Sequence, residues 1–144
     1  MINITWGRFL LSFIVGYFVT SLLNWGAAVW ILNPIVTPIF DGFMRATDNF
    51  GGGEVVKMTF GFMAPVFVST LFIAMIDKPA HWFARSIFVG VIISIAAFYG
   101  IYSFISGWGD VLWVPLMITA TCDLITLTGG LLVVGYIQDY KKMQ

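Results

Sequence analysis

Four long apolar stretches, separated by clusters of charge, glycine and proline, organise this sequence. They run from about Arg8 to Leu32, Val55 to Ile76, Phe83 to Ile105 and Val111 to Ile137. Each approaches or exceeds the roughly 20 residues a helix needs to cross a hydrocarbon core. In lipid every backbone N–H and C=O must be satisfied internally, which leaves helices or a closed barrel, and runs this long without alternation exclude the barrel. Two of the connections are short. Asp77-Lys78-Pro79-Ala80-His81-Trp82 contains a helix-stopping proline, and Ser106-Gly107-Trp108-Gly109-Asp110 is rich in glycine. Both predict tight hairpins between antiparallel neighbours. The expected fold is all-α, a polytopic membrane four-helix bundle, with residues 1–144 forming a single transmembrane domain.

The connection from Asn33 to Glu54 is longer. Ile39, Phe40, Phe43, Met44 and Phe50 fall on one face at helical spacing, and Asp41, Arg45, Asp48 and Asn49 on the other. This predicts an amphipathic surface helix over about 38–50, between the first and second spans and lying on the outer membrane surface. Pro34 and Pro38 are expected to break it from the first span, and Gly51-Gly52-Gly53 to end it. Such a helix serves either as a connector tucked over the bundle or as a docking surface for a partner, through Phe40, Phe43, Met44 and Phe50.

Polar positions within the spans set the packing. Asp123 lies near the midpoint of the fourth span, where a carboxylate costs about 2.5 to 3.5 kcal/mol and must face the bundle interior or water. Thr119, Asp123, Thr126 and Gly130 share one helical face, with Cys122 and Gly129 beside them. The first span carries a matching stripe, Ser12, Gly16, Thr20, Asn24 and Ala28, spaced by four. The second adds Gly61, Pro65 and Ser69, and the third Ser86, Gly90, Ser94 and Ala97. Small residues at these positions let helices approach closely, and polar ones bond across the interface. Pro65 frees the Gly61 carbonyl and is expected to kink its helix. Asn24 is the candidate partner of Asp123; it sits about four residues past its own midpoint, roughly 6 Å, so a direct contact needs tilt or a bridging water. Asp123 then either pins the helices in register or acts as a proton-relay or ion-binding group.

Composition narrows the classes. Sixty per cent of the residues are hydrophobic and 10% charged, against about 45 to 50% and about 25% in soluble domains. Seven Lys/Arg balance seven Asp/Glu, so the clustered cations that nucleic-acid binding requires are missing and that partner is set aside. The single cysteine, Cys122, rules out an intrachain disulfide or a multi-cysteine metal site. His81 is the only histidine; it could ligate a haem or chlorophyll-type pigment, but without a second ligand it reads as an interfacial loop residue, and neither cofactor nor metal is expected. The Asp48 to Glu54 stretch lacks the alternating ligands of a calcium loop, and its glycines lack the GK[ST] of a phosphate loop. No nucleophile and base are legible together, so catalysis is not expected.

Orientation follows from charge. With the N-terminus in the cytoplasm, the inner side holds Arg8, Lys78, Arg85, Lys141 and Lys142, and the outer side Arg45 and Lys57. Trp6, Trp82, Tyr136 and Tyr140 would then flank the inner interface, and Trp30, Tyr102, Trp108 and Trp113 the outer. Arg8 before an apolar run could suggest a signal peptide, but the run continues to Leu32 with no small-x-small cleavage pattern and is expected to be a retained span. For a bacterial or archaeal chain this places the protein in the cytoplasmic (inner) membrane with both termini cytoplasmic.

Leu23-Asn24-Trp25-Gly26, the exit from Asn33-Pro34 to Phe40, and a final helix with Asp123 and Gly129-Gly130 ahead of Gly135-Tyr136 together resemble small four-helix membrane families of bacteria. That resemblance covers most of the chain and implies no activity. The expected function is that of a non-enzymatic accessory or structural subunit packed against other membrane proteins, and the expected partners are the lipid bilayer and other membrane proteins or a homo-oligomer. The alternative is a small proton- or ion-coupled transporter centred on Asp123 and Asn24, and an enzyme acting on lipids comes third.

Overall fold

The computed structural model describes residues 5–39, 52–109 and 111–139, with backbone alone at 52–55 and 57–59. They form four helices: α1 (Trp6–Ile39), α2 (Gly52–Met75), α3 (Trp82–Trp108) and α4 (Trp113–Asp139). No strand occurs among the described residues. α1, α3 and α4 are each long and apolar enough to cross a membrane, and the apolar part of α2, Phe60–Met75, is shorter.

Pro34 and Pro38 do not break the first helix. α1 continues through both to Ile39, changing to π-helix over Ala28–Val36. A proline lacks the N–H of the α-helical ladder and crowds the carbonyl one turn back; the wider i→i+5 turn relieves that crowding. Packing holds the extension in place, since Leu32 and Val36 are buried with Ala27 against Cys122. Of the proposed surface helix only Pro38 and Ile39 are described, and they continue α1; Phe40, Phe43, Met44 and Phe50 lie outside the described residues. Gly52 and Gly53 fall within α2, whose described part begins at Gly52, and the helix they were expected to end lies outside the described residues. α3 has its own π-helical segment, Ile95–Gly100, and runs on through Ser106 and Gly107 to Trp108. At its start His81 caps the helix, its Nδ1 accepting the Phe83 N–H at 3.3 Å.

α4 packs against all three other helices, most extensively against α1 and next against α3. At the α1–α4 interface Ser12, Gly16 and Thr20 are buried. A Cβ on Gly130 would stand 3.0 Å from the Gly16 carbonyl oxygen and overlap Thr20 Oγ1, so the two backbones come together only without a side chain there. Between α3 and α4 a Cβ on Gly90 would lie 3.2 Å from Thr128 Cα. The apolar centre is Val66, Ile73, Val89, Phe98, Ala120, Leu127, Leu131 and Val134.

Polarity is inverted relative to a water-soluble bundle. Ser12, Thr20, Ser69, Thr70, Ser86 and Ser94 are completely buried, while Phe18, Leu22, Trp25, Trp30, Phe104, Trp108 and Ile125 stand out from the surface. In water so large an apolar exterior would drive association; in lipid it is the ordinary outer surface of a helical membrane protein. The four helices run up and down, because contacts bring the start of α1, the end of α2, the start of α3 and the end of α4 to one end of the bundle: Arg8 reaches Gln138, and Arg85 reaches both Ile76 and Asp139.

Candidate functional site

Asp123 is almost wholly buried, and two other helices supply its partners. Asn24 of α1, just ahead of the first π-helical segment, donates from Nδ2 to Oδ1 at 2.8 Å. Tyr102 of α3, just after the second, donates from its hydroxyl to Oδ2 at 2.8 Å. A carboxylate only accepts hydrogen bonds, and each oxygen here receives a donor from a different helix. The Asn24 contact is direct and needs no bridging water. Thr126 adds a bond from Oγ1 to the Asp123 backbone oxygen at 3.1 Å, and nearby the hydroxyls of Tyr99 and Thr121 lie 2.7 Å apart.

Tyr102 was expected in the outer aromatic belt; its hydroxyl instead turns to Asp123. A tyrosine near the end of an apolar span ordinarily marks the interface. The signal that distinguishes it is spacing, since Ser86, Gly90, Ser94, Phe98 and Tyr102 recur by four along α3.

The other expected residues fall as follows. Cys122 is buried among Ala27, Leu32 and Val36. Thr126 is buried, and Thr119 is half-buried with its hydroxyl bonded to the Pro115 carbonyl of its own helix at 2.9 Å. Gly16 and Gly130 meet at the α1–α4 interface, Gly129 faces Leu23, and Gly90 faces Thr128. Gly61 is not at an interface: it is exposed with open space around it. The inward face of α2 runs through Phe62, Val66, Ser69, Thr70 and Ile73, and Phe62 packs on Phe98 with ring centroids 5.6 Å apart, which turns Gly61 aside. Pro65, half-buried, is accommodated inside α2. His81 is exposed and stacks on Trp82. No cluster of three or more metal-ligating side chains occurs among the described residues.

A second polar constellation lies at the end of the bundle where α1 begins. Arg85, placed by the sequence at the water boundary, is 3% exposed and forms an ion pair with Asp139 of α4. Its Nη1 also donates to the Ile76 carbonyl at 3.2 Å, closing off the end of α2. Beside it Arg8 donates from Nη1 to the Gln138 carbonyl at 3.1 Å. The Gln138 amide in turn donates to Ser12 Oγ and to the Thr70 carbonyl, each at 3.2 Å. These groups surround a cleft of about 180 Å³ whose polar lining, among the described residues, is Thr5, Arg8, Asp77, Arg85, Gln138 and Asp139. Gln138 and Asp139 carry no local motif; only the up-and-down topology brings the end of α4 beside Arg8 and Arg85.

Compared with known proteins, the chain matches no family model, no curated protein and no solved structure.

Proposed function

We propose that this chain is a non-enzymatic structural or accessory subunit of a membrane assembly, a rigid helical body that works through its lipid-facing surface. The observation that carries this reading is the bonding of Asp123: both carboxylate oxygens are engaged by side chains from two other helices. A membrane-embedded carboxyl so placed fixes the register of three helices, which is a scaffold's use of a polar group. The outward aromatics, Trp25 and Trp30 on α1 and Phe104 and Trp108 on α3, are the side chains that an assembly partner within the bilayer would meet. Gathering of Arg8, Lys78 and Arg85 at one end supports an inner-membrane orientation with that end, and both termini, in the cytoplasm.

The test is extraction of the full chain in mild detergent or polymer-bounded discs, followed by sizing and mass spectrometry of what remains bound. A reproducible heteromeric particle is the expected result, and a lone monomer or homo-oligomer overturns the subunit reading. The same preparation in vesicles addresses the alternative. A proton- or ion-coupled carrier centred on Asp123 would have to exchange the Asn24 and Tyr102 bonds during its cycle, and it requires a pH-coupled flux that Asp123→Asn abolishes.

A further inference from the structure

We propose that the cleft at the Arg8 end of the bundle is a binding site for a phospholipid headgroup of the phosphoethanolamine type, one that carries a phosphate and a primary ammonium. Among the described lining residues the cleft holds two cations, Arg8 and Arg85, and two anions, Asp77 and Asp139. Arg85 and Asp139 are spent on each other as a buried ion pair. What remains is one group of each sign, Arg8 and Asp77. Arg8 is half-buried and has one hydrogen bond among the described residues, from Nη1 to the Gln138 carbonyl. A guanidinium carries five N–H donors in a planar fork that matches a phosphate, so most of the fork is available to a ligand. Asp77 is exposed and without a partner among the described residues. Among the described lining residues, one free cation and one free anion bordering the same cleft suit a dipolar ligand better than a simple anion.

Depth selects the lipid as the source. Arg8 lies two residues, about 3 Å along the axis, inside the start of α1 at Trp6. Trp6 and Tyr136 are exposed at this end and Trp82 packs edge-on against Tyr136, the aromatic arrangement that marks headgroup level. The cleft is bounded on one side by Thr5, Arg8 and Phe9 of α1 and on another by Ile73, Ile76 and Asp77, so it sits where the phosphates of the surrounding leaflet lie. The Arg85 guanidinium, fixed by Asp139 and Ile76, forms a charged floor whose position does not depend on the ligand.

The experiment is native mass spectrometry of the full-length protein in mild detergent, titrated with phosphatidylethanolamine, phosphatidylcholine and phosphatidylglycerol of matched acyl chains, and separately with water-soluble O-phosphoethanolamine. The expected result is retention of phosphatidylethanolamine over phosphatidylcholine by roughly tenfold, the size of one charge-assisted hydrogen bond, because a trimethylammonium has no N–H to give Asp77. Asp77→Asn should lower phosphatidylethanolamine to the phosphatidylcholine level and leave phosphatidylcholine unchanged. Arg8→Gln should weaken both lipids together. Since Arg8 also holds Gln138, that variant can lose stability; Asp77→Asn removes no bond within the described structure and decides the matter alone. Phosphatidylglycerol binding as well as phosphatidylethanolamine, equal retention of all three lipids, or displacement of lipid by equimolar O-phosphoethanolamine would each overturn the proposal.

Discussion

Gly130 shows how much of this bundle rests on an absent side chain. The space its Cβ would fill already belongs to Thr20 and to the Gly16 carbonyl. Gly130→Ala should therefore destabilise by about 1 to 3 kcal/mol, the usual cost of overpacking, because Thr20 must move and the backbone oxygen behind it cannot do so freely. Gly61→Ala is the internal control. It meets open space, so removing a helical glycine should be neutral or stabilising by up to about 1 kcal/mol. Reversible unfolding in bicelles, read by helicity against added denaturing detergent, measures both, and equal effects of the two substitutions would show that the α1–α4 contact is looser than described. The Asp123 site shows which residues can be read ahead of the structure. Asn24 and Asp123 were legible because polar groups in apolar runs have few places to go except to each other. Tyr102 was not, because an aromatic near a span end has a second ordinary use at the interface.

Among the helices, the ends are secured differently from the middles. Arg85 joins the end of α2, the start of α3 and the end of α4, and the pair it forms with Asp139 is shielded from solvent. Breaking a buried pair by removing one partner costs about 3 to 5 kcal/mol, whereas replacing both with apolar residues of similar size costs much less. Arg85→Met and Asp139→Leu are accordingly expected to be strongly destabilising singly, with the double variant recovering more than half the loss. Additive losses in the same unfolding assay would mean that the two charges are not coupled. Helix positions were visible in the sequence because apolar runs of this length have one stable form in lipid. The extent of α1 was hidden. Proline reads as a stop where water can take over the freed backbone groups, but Pro34 is carried through by a π-helical stretch and by the burial of Leu32 and Val36. Arg85 was hidden for a similar reason: a cation at a span end usually snorkels to water, and its burial depends on the arrival of Asp139 from the far end of α4.

At the scale of the whole molecule, the up-and-down arrangement puts Thr5 and Lys78 at one end, with Gly109 at the tip of the α3–α4 hairpin, all three exposed. Single cysteines at these sites in a Cys122→Ala background should react with a membrane-impermeant maleimide in two classes. With the orientation proposed above, Gly109→Cys labels in intact cells, and Thr5→Cys and Lys78→Cys label only after lysis; labelling of Lys78→Cys and Gly109→Cys from the same side would contradict the topology. The most extensive helix contact also imposes an order on biosynthesis. α1 is made before the other three helices, yet its main partner is α4, and 99 residues separate Asn24 from Asp123. At about 5 to 20 residues per second, α1 waits roughly 5 to 20 s in the membrane with the Asn24 amide lacking its acceptor. For that interval the nascent chain presents a polar group to lipid or to the insertion machinery, and the interface that makes the finished bundle rigid makes its precursors recognisable as incomplete.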